Sequence, residues 1–208
     1  VVPLALHELE ELLRDAGAYD EESATEFSDE IVTEVFDATR RFDREGLSGM
    51  LQRDASVLGT SAFLRERVAP LLHAVGETWS RGGIEIRHEH FFSEVLEDQL
   101  RTLRTPLQNS ASGRPVVLAT LSNEFHSLGL QMAALAIVAS GRAVRVLGRQ
   151  TPVEEIVAAA EAVDAAAVGL SVSVYSAGTE TVDHIKELRR AIPDRIPVVV
   201  GGEGVRLL

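Results

Sequence analysis

The sequence predicts an α + α/β protein, in which a four-helix-type helical bundle precedes a parallel-sheet domain. Of the 208 residues, 45 % are hydrophobic and 25 % are charged, so the chain can bury a sizeable core. Apolar residues recur at three- and four-residue steps up to about residue 109, which indicates amphipathic helices. Apolar runs then alternate with helical segments, which is typical of a parallel sheet covered on both faces. A small-residue stretch at 110–115 sets the predicted domains at 1–110 and 111–208.

The bundle is predicted from five amphipathic segments that short glycine-containing breaks separate. Phe63, Val68 and Leu71 illustrate the helical spacing, and Ser61 just before them marks a helix start. The predicted helices span about 4–16, 25–45, 47–58, 61–81 and 85–108. Antiparallel helices with such short connections form a bundle.

The C-terminal domain is predicted as an open sheet of the Rossmann or flavodoxin type. The predicted strands are 116–120, 143–147, 166–174 and 198–200, and the predicted helices are 127–140, 153–162 and 179–191. In such sheets ligands bind beyond the carboxyl ends of the strands. Residues that follow the strands are therefore the first candidates for a binding site.

Charge and composition exclude several classes of function. Residues 1–110 carry 22 acidic and 11 basic side chains, so this half is a poor surface for nucleic acid. The absence of cysteine excludes disulfides and thiolate chemistry. No apolar run reaches the roughly 20 residues that span a bilayer and no leader is recognisable, so we expect a cytoplasmic protein without membrane contact. No hydrolytic triad, Walker loop or dinucleotide fingerprint occurs, and we expect no enzymatic activity.

Unusual residues lie at the ends of three predicted strands. They are Glu124, His126, Ser127, Leu128 and Gly129 after the first strand, Ser171 and Ser173 at the third, and Gly201 and Gly202 after the fourth. A loop histidine can present its imidazole to a metal, and a carboxylate two residues earlier can accept the other ring N–H. Glycines let a bulky group approach the backbone. This chemistry fits a metal-bearing cofactor.

The joint pattern resembles the cobalamin-binding domain of methionine synthase and methylmalonyl-CoA mutase. That domain carries Asp-x-His-x-x-Gly, then Ser-x-Leu, then Gly-Gly. Here 41 residues separate Gly129 from Ser171, and 27 separate Ser173 from Gly201. Glu124 replaces the aspartate, and a serine replaces the leucine. The resemblance covers about residues 113–208.

The resemblance implies that cobalamin binds with its dimethylbenzimidazole base released from cobalt. The nucleotide tail then enters the sheet beside Ser171 and Gly201-Gly202, and His126 ligates the cobalt from below. Carriers, isomerases and sensors share this domain, so the helical half has to distinguish among them.

The helical half carries a second motif, in which nine residues separate Trp79 from Glu89-His90. It resembles the Trp-x9-Glu-His signature of light-sensing cobalamin proteins related to the transcriptional regulator CarH. The resemblance implies that the bundle covers the upper corrin face, where Trp79 packs against a 5′-deoxyadenosyl group and Glu89 and His90 contact it. An indole can stack on adenine, and a carboxylate and an imidazole can bond ribose hydroxyls.

Ser80 departs from that family, in which a histidine directly after the tryptophan can ligate cobalt once light has removed the adenosyl group. A hydroxyl is a poor ligand for cobalt. Either water takes the upper site after illumination, or His73, His88 or His90 moves in. His88 and His90 point to different sides of a helix, which argues against a zinc pair.

The resemblance implies a B12-dependent photoreceptor domain that binds adenosylcobalamin in the dark. Light then cleaves the cobalt–carbon bond, the bundle shifts, and a homo-oligomer changes its assembly. DNA is expected to be bound only through an attached domain of the MerR kind, which related short photoreceptors lack. Some of these, the photocobilins, also bind a bilin, although no residue here identifies a bilin site. Two alternatives stay open, namely a corrinoid methyl carrier of a methyltransferase system and a cobalamin-binding protein without a switch.

Overall fold

The computed structural model describes residues 29–208, which divide into two compact units. The helical unit ends at Leu103, and the α/β unit extends from Arg104 to Leu208. The predicted helix at 4–16 and the first residues of the predicted helix at 25–45 lie outside the described residues. The division falls inside a long helix, several residues before the predicted boundary at residue 110.

The helical unit consists of helices that bury one apolar face each, as the residue spacing predicts. Its elements are α1 (Asp29–Arg40), α2 (Arg44–Leu58), α3 (Thr60–Phe63), a π-helical turn (Leu64–Val68), α4 (Ala69–Ser80) and the long α5 (Ile86–Gln108). The fully buried side chains of this unit include Leu47, Leu51, Phe63, Phe92 and Leu96. No described helix is both long enough and apolar enough to cross a membrane.

The first two helices separate at Arg41–Asp43, so the predicted break at Gly46 is wrong. Asp43 caps α2, because its Oδ1 accepts a hydrogen bond from the Gly46 N–H at 2.8 Å. A Cβ at Gly46 would collide with the Asp43 carboxylate, which explains a glycine inside the first turn. Phe42 occupies the connecting turn with a φ of 55°.

The α/β unit alternates strands and helices as the sequence predicts. Its elements are β1 (Ser112–Leu121), α6 (Leu128–Ala139), β2 (Arg142–Thr151), α7 (Val153–Ala162), β3 (Ala167–Ser171), α8 (Thr179–Ala191), β4 (Val198–Gly201) and a final 3₁₀ turn (Glu203–Leu207). The third strand is shorter than the predicted 166–174. It ends at Ser171, and the Ser173 N–H donates to the Glu124 carboxylate instead of to a neighbouring strand.

Four parallel strands form one sheet in the order β2-β1-β3-β4, which confirms the predicted fold class. Side chains of β1 alternate between two cores. Val116 and Leu118 pack with α6, whereas Val117 and Ala119 pack with α7 and α8. From β1 the chain first adds β2 on one side and then adds β3 on the other. The neighbouring carboxyl ends of β1 and β3 therefore form the topological switch point.

The end of α5 packs on the sheet, and much of the predicted linker at 110–115 is β-strand. The Arg104 guanidinium donates to the Gln131 side-chain oxygen at 2.8 Å, and Leu107 packs against the core beneath α6. β1 already begins at Ser112. Its first three residues are exposed, so they lack the apolar pattern that identifies a strand from sequence.

Candidate cofactor-binding site

The carboxyl ends of three strands meet at the switch point of the sheet. Ala119 of β1 pairs with Leu170 of β3, and Ser171 of β3 pairs with Gly201 of β4. The residues that follow these strands therefore come together at one edge. This edge carries the side chains that the sequence analysis selected in the C-terminal domain.

Glu124 is the buried centre of this edge, with only 2 % of its surface exposed. Its Oε1 accepts hydrogen bonds from the backbone N–H and from Nδ1 of His126, both at 2.8 Å. Its Oε2 accepts from the Ser173 N–H at 2.6 Å and from the Ser176 hydroxyl. Each carboxylate oxygen thus has two donors.

The pKa of Glu124 lies far below neutrality, so its carboxyl is ionised. Burial alone raises this pKa, but hydrogen bonds from the side chains of His126 and Ser176 and from the backbone N–H groups of His126 and Ser173 outweigh burial and lower it from 4.5 to about 2. An ionised carboxylate only accepts hydrogen bonds, so Nδ1 of His126 carries the proton. Nε2 is then the nitrogen whose lone pair can bind a metal.

The His126 imidazole is exposed although its anchor is buried. Its side chain is 53 % exposed, against 2 % for the Glu124 side chain. The Tyr175 ring stacks on the imidazole with 5.0 Å between ring centroids and 23° between planes. The Ser173 hydroxyl oxygen lies 3.3 Å from Nδ1. An exposed ring on a fixed anchor suits a ligand that approaches from outside the unit.

Small residues form the contact between the start of α6 and the end of β3. A Cβ at Gly129 would lie 2.8 Å from the Ser171 hydroxyl oxygen, so any other residue here would force that hydroxyl to move. Ser127 is the N-cap residue of α6 and is buried, and Leu128 is partly buried as the first residue of the helix. No bulky side chain stands between Gly129 and the end of the strand.

The glycine pair ends β4 in a backbone conformation that other residues avoid. Gly201 is the last residue of the strand, and Gly202 has a φ of 101° and a ψ of 163°. A Cβ at Gly202 would lie closer than 3.0 Å to the Val172 carbonyl oxygen. Gly204 meets the Ser173 carbonyl in the same way, a close approach that the sequence analysis did not identify.

The site also uses side chains that lie outside the motif. Ser176 donates to the Glu124 carboxylate, and Tyr175 stacks on His126. The Thr120 hydroxyl donates to the Glu124 backbone carbonyl at 2.9 Å. Residues with a hydroxyl group are frequent directly after the third strand. This is the only feature of the sequence that points to Ser176 and Tyr175.

Thr181 anchors the loop that follows β3. Its side chain is buried, and its hydroxyl donates to the Ser176 carbonyl at 2.5 Å while accepting from the Asn123 amide at 2.9 Å. The loop is therefore tied both to α8 and to the turn after β1. These bonds hold the Ser176 backbone beside Glu124.

The helical unit carries Trp79, Glu89 and His90 on either side of the turn between α4 and α5. Trp79 lies in the last turn of α4 and is partly buried. In the first turns of α5, Oε2 of Glu89 lies 2.8 Å from Nδ1 of His90, and Oε1 accepts from the Ser93 hydroxyl at 2.7 Å. Glu89 thus holds His90 by the same pairing of carboxylate and Nδ1 that occurs at the sheet edge.

The contacts of His88 in α5 are those of a residue that stabilises the fold. It is nearly buried, its Nδ1 accepts from the Glu85 N–H at 3.3 Å, and its ring lies 5.1 Å from the Phe42 ring. Within residues 29–208, no group of three or more His, Asp or Glu side chains is arranged to hold a metal ion. Protein side chains alone therefore form no complete metal centre in this part of the chain.

Comparison with known families identifies the class of protein that this fold and site define. Models of the B12 binding domain match residues 8–104 and residues 114–208, which together include both units. The chain belongs to the B12-binding proteins, and the supported cofactor is a corrinoid. Within that class its sequence resembles the CarH-type regulators.

Individual relatives show how far each likeness extends. The HTH-type transcriptional repressor CarH of Myxococcus xanthus is 33 % identical over 171 residues, which are 81 % of this chain and 56 % of CarH. The dimethylamine corrinoid protein of Methanosarcina barkeri is 21 % identical over 84 % of each chain. The structure of the Methanosarcina barkeri monomethylamine corrinoid protein superposes with a TM-score of 0.62 at 15 % identity, over 85 % of this chain and 86 % of that one. The chain thus spans little more than half the length of CarH and shares its fold with corrinoid proteins.

The residues at the sheet edge fit a cobalt corrinoid. A protonated Nδ1 on an ionised carboxylate orients the His126 ring and raises the basicity of Nε2, and imidazole nitrogen is a suitable ligand for first-row transition metals. Gly129 and Gly202 stand where a Cβ would collide with the neighbouring chain. His126 would hold the cobalt, and the small residues would border the part of the cofactor that enters the edge.

Glu124→Gln is expected to weaken cobalamin binding by about 10-fold. A glutamine has one acceptor oxygen, so its amide nitrogen would face two donors that now point at a carboxylate. Titration of the protein with cobalamin, followed by absorbance, measures the dissociation constant. Glu187→Gln, which changes an exposed carboxylate on α8, is the matched control. Equal dissociation constants for both variants would show that the carboxylate does not orient His126.

Proposed function

We propose that the chain is a B12-dependent photoreceptor domain that binds adenosylcobalamin with His126 as the lower cobalt ligand. The observation that carries the proposal is the CarH-like motif of the helical unit, in a sequence 33 % identical to CarH. Trp79 ends one helix and Glu89-His90 begins the next, with only five residues between the helices. The indole, carboxylate and imidazole offer the chemistry that an adenosyl group requires.

The lower side of the proposed site depends on a rigid support. His126 is held by a buried, ionised carboxylate whose four donors come from two loops. Such a support positions the ring before the cofactor arrives, which reduces the entropy lost on binding. The role proposed for these residues is therefore to bind and orient the cofactor.

Bound adenosylcobalamin would supply a cobalt–carbon bond that visible light can break. Trp79, Glu89 and His90 would contact the adenosyl group in the dark and would lose that contact once the group has left. Such a contact shifts the population between two states of the helical unit only as far as its free energy differs between those states. Moving a two-state population from 1:99 to 99:1 requires about 5.5 kcal/mol.

The proposed output is a change in the assembly of a homo-oligomer. The acidic helical half is unsuited to nucleic acid, so DNA would be reached through an attached domain and not through these residues. A bilin as a second chromophore has no identified site in the described residues. The upper ligand after illumination would be water or one of His73, His88 and His90.

A corrinoid methyl carrier is the second candidate function. The dimethylamine corrinoid protein matches 84 % of this chain, and the fold of the monomethylamine corrinoid protein matches as well. A carrier has to open the upper cobalt face to a partner enzyme, and a tryptophan placed against that face hinders such access. Preference for methylcobalamin, with no change of elution volume on illumination, would favour the carrier.

Illumination of the adenosylcobalamin-loaded protein tests the proposal. We expect a change in the visible spectrum together with a change in elution volume on size-exclusion chromatography. Trp79→Ala is expected to reduce the selectivity for adenosyl over methyl forms, because it removes the surface that packs on adenine. Val57→Ala, which shortens an exposed apolar side chain on α2, is the control. An illuminated protein with an unchanged elution volume would contradict the switch.

A further inference from the structure

Tyr175 is an exposed aromatic residue that lies against the proposed cobalt ligand. Tyr175 is 64 % exposed, yet its ring stacks on the His126 imidazole with 5.0 Å between ring centroids and 23° between planes. Tyr175 lies four residues beyond the end of β3, in a loop outside the sequence motif. An exposed aromatic side chain in a loop ordinarily samples several rotamers. The loop must therefore be held in a conformation that keeps the ring against His126.

The loop fixes Tyr175 through its two neighbouring serines. The Tyr175 N–H donates to the Ser173 hydroxyl at 3.3 Å. The Ser173 N–H and the Ser176 hydroxyl both donate to the Glu124 carboxylate. Residues on both sides of Tyr175 are therefore bound to the same carboxylate that holds His126, and ring and imidazole share one anchor.

The hydrogen bond that His126 donates to Glu124 positions Nδ1 but does not by itself prevent rotation of the imidazole. It holds Nδ1 at 2.8 Å, but a ring attached at one nitrogen can still rotate about its side-chain bonds. Rotation moves Nε2, which lies on the far side of the ring. A second aromatic plane stacked on the imidazole removes this freedom, because rotation would break the stacking.

We propose that Tyr175 is a positioning residue, whose ring holds the His126 imidazole in the orientation that directs Nε2 at cobalt. The inference rests on the proposed role of His126 in cobalamin binding and extends it to a residue of the β3–α8 loop. The aromatic face acts, and the phenolic hydroxyl is not required. Phenylalanine should therefore replace tyrosine, whereas alanine should not.

The test compares Tyr175→Ala with Tyr175→Phe in the full chain. We expect Tyr175→Ala to weaken cobalamin binding about 5-fold, within the range that aromatic stacking contributes, and to lower the fraction of bound cofactor with a histidine-ligated visible spectrum. Tyr175→Phe should bind within about 2-fold of the wild type. Thermal unfolding of the cofactor-free variants should not change, since the side chain is exposed. Val57→Ala again controls for the loss of an exposed apolar group.

His126→Ala in the same series distinguishes the proposed lower ligand, His126, from the proposed positioning role of Tyr175. If His126→Ala does not alter the spectrum, the proposed lower ligand is wrong. If His126→Ala alters it while Tyr175→Ala matches the wild type, the lower ligand stands and the role of Tyr175 is overturned. If Tyr175→Phe binds cobalamin as weakly as Tyr175→Ala does, the effect comes from the hydroxyl and not from the stacked ring. That result also overturns the proposal.

Discussion

His126→Ala is expected to weaken cobalamin binding by about 10- to 100-fold and to change the visible spectrum of the bound cofactor. The substitution removes the ring nitrogen that the Glu124 carboxylate orients. The nucleotide tail would keep the contacts proposed for it at the strand ends, so binding is expected to be reduced and not abolished. Absorbance titration gives both the affinity and the ligation state.

The matched control is Lys186→Ala, which removes an exposed basic side chain from α8 that has no part in the proposed site. Wild-type affinity and spectrum in this variant would assign the effect to position 126. A His126→Ala protein with the wild-type spectrum would show that cobalt takes its lower ligand elsewhere. Addition of free imidazole should restore part of the histidine-ligated spectrum, because the position of the removed ring is exposed and accessible from solvent.

The sheet edge was predictable because the strands of a parallel sheet all end on the same side. Alternation of apolar runs and helices implied parallel strands, whose carboxyl ends border the binding site. Glu124, His126 and Ser171 were selected from that rule together with their resemblance to the cobalamin-binding motif, and the structure places all three at one edge. Gly202 was predictable as a site of close approach, although its partner, the Val172 carbonyl, was not.

Contacts made by loops were not predictable, since they depend on geometry that periodicity does not encode. Ser176 and Tyr175 reach the site because the chain leaves β3 three residues earlier than predicted. At this point the Ser173 N–H binds the Glu124 carboxylate instead of a neighbouring strand. Thr181 then secures the loop from α8, and no pattern in the sequence links it to the motif.

The predicted boundary between α1 and α2 is wrong for a related reason. Glycine ordinarily indicates a loop, so the sequence pattern predicts a break at Gly46. In the structure Asp43 needs a neighbour without a Cβ to reach the N–H of the first turn. The glycine therefore belongs to a helix cap, a distinction that only the side-chain geometry reveals.

Gly202→Ala is expected to lower the free energy of unfolding by about 3 kcal/mol or more. The backbone at φ 101° and ψ 163° is almost restricted to glycine, and an added Cβ would overlap the Val172 carbonyl oxygen. A carbonyl in the backbone cannot move aside as a flexible side chain can. Urea denaturation of the cofactor-free protein, monitored by circular dichroism, measures the loss.

Gly141→Ala separates the backbone penalty from the collision. Gly141 also has a positive φ, of 85°, but no atom lies within 4 Å of its added Cβ, so its cost should be only about 1–2 kcal/mol. If the two variants lose equal stability, the contact with Val172 contributes nothing. If the contact matters, relief of the overlap must displace the Val172–Ser173 backbone. That shift would withdraw the Ser173 N–H from Glu124, so Gly202→Ala should weaken cobalamin binding whereas Gly141→Ala should not.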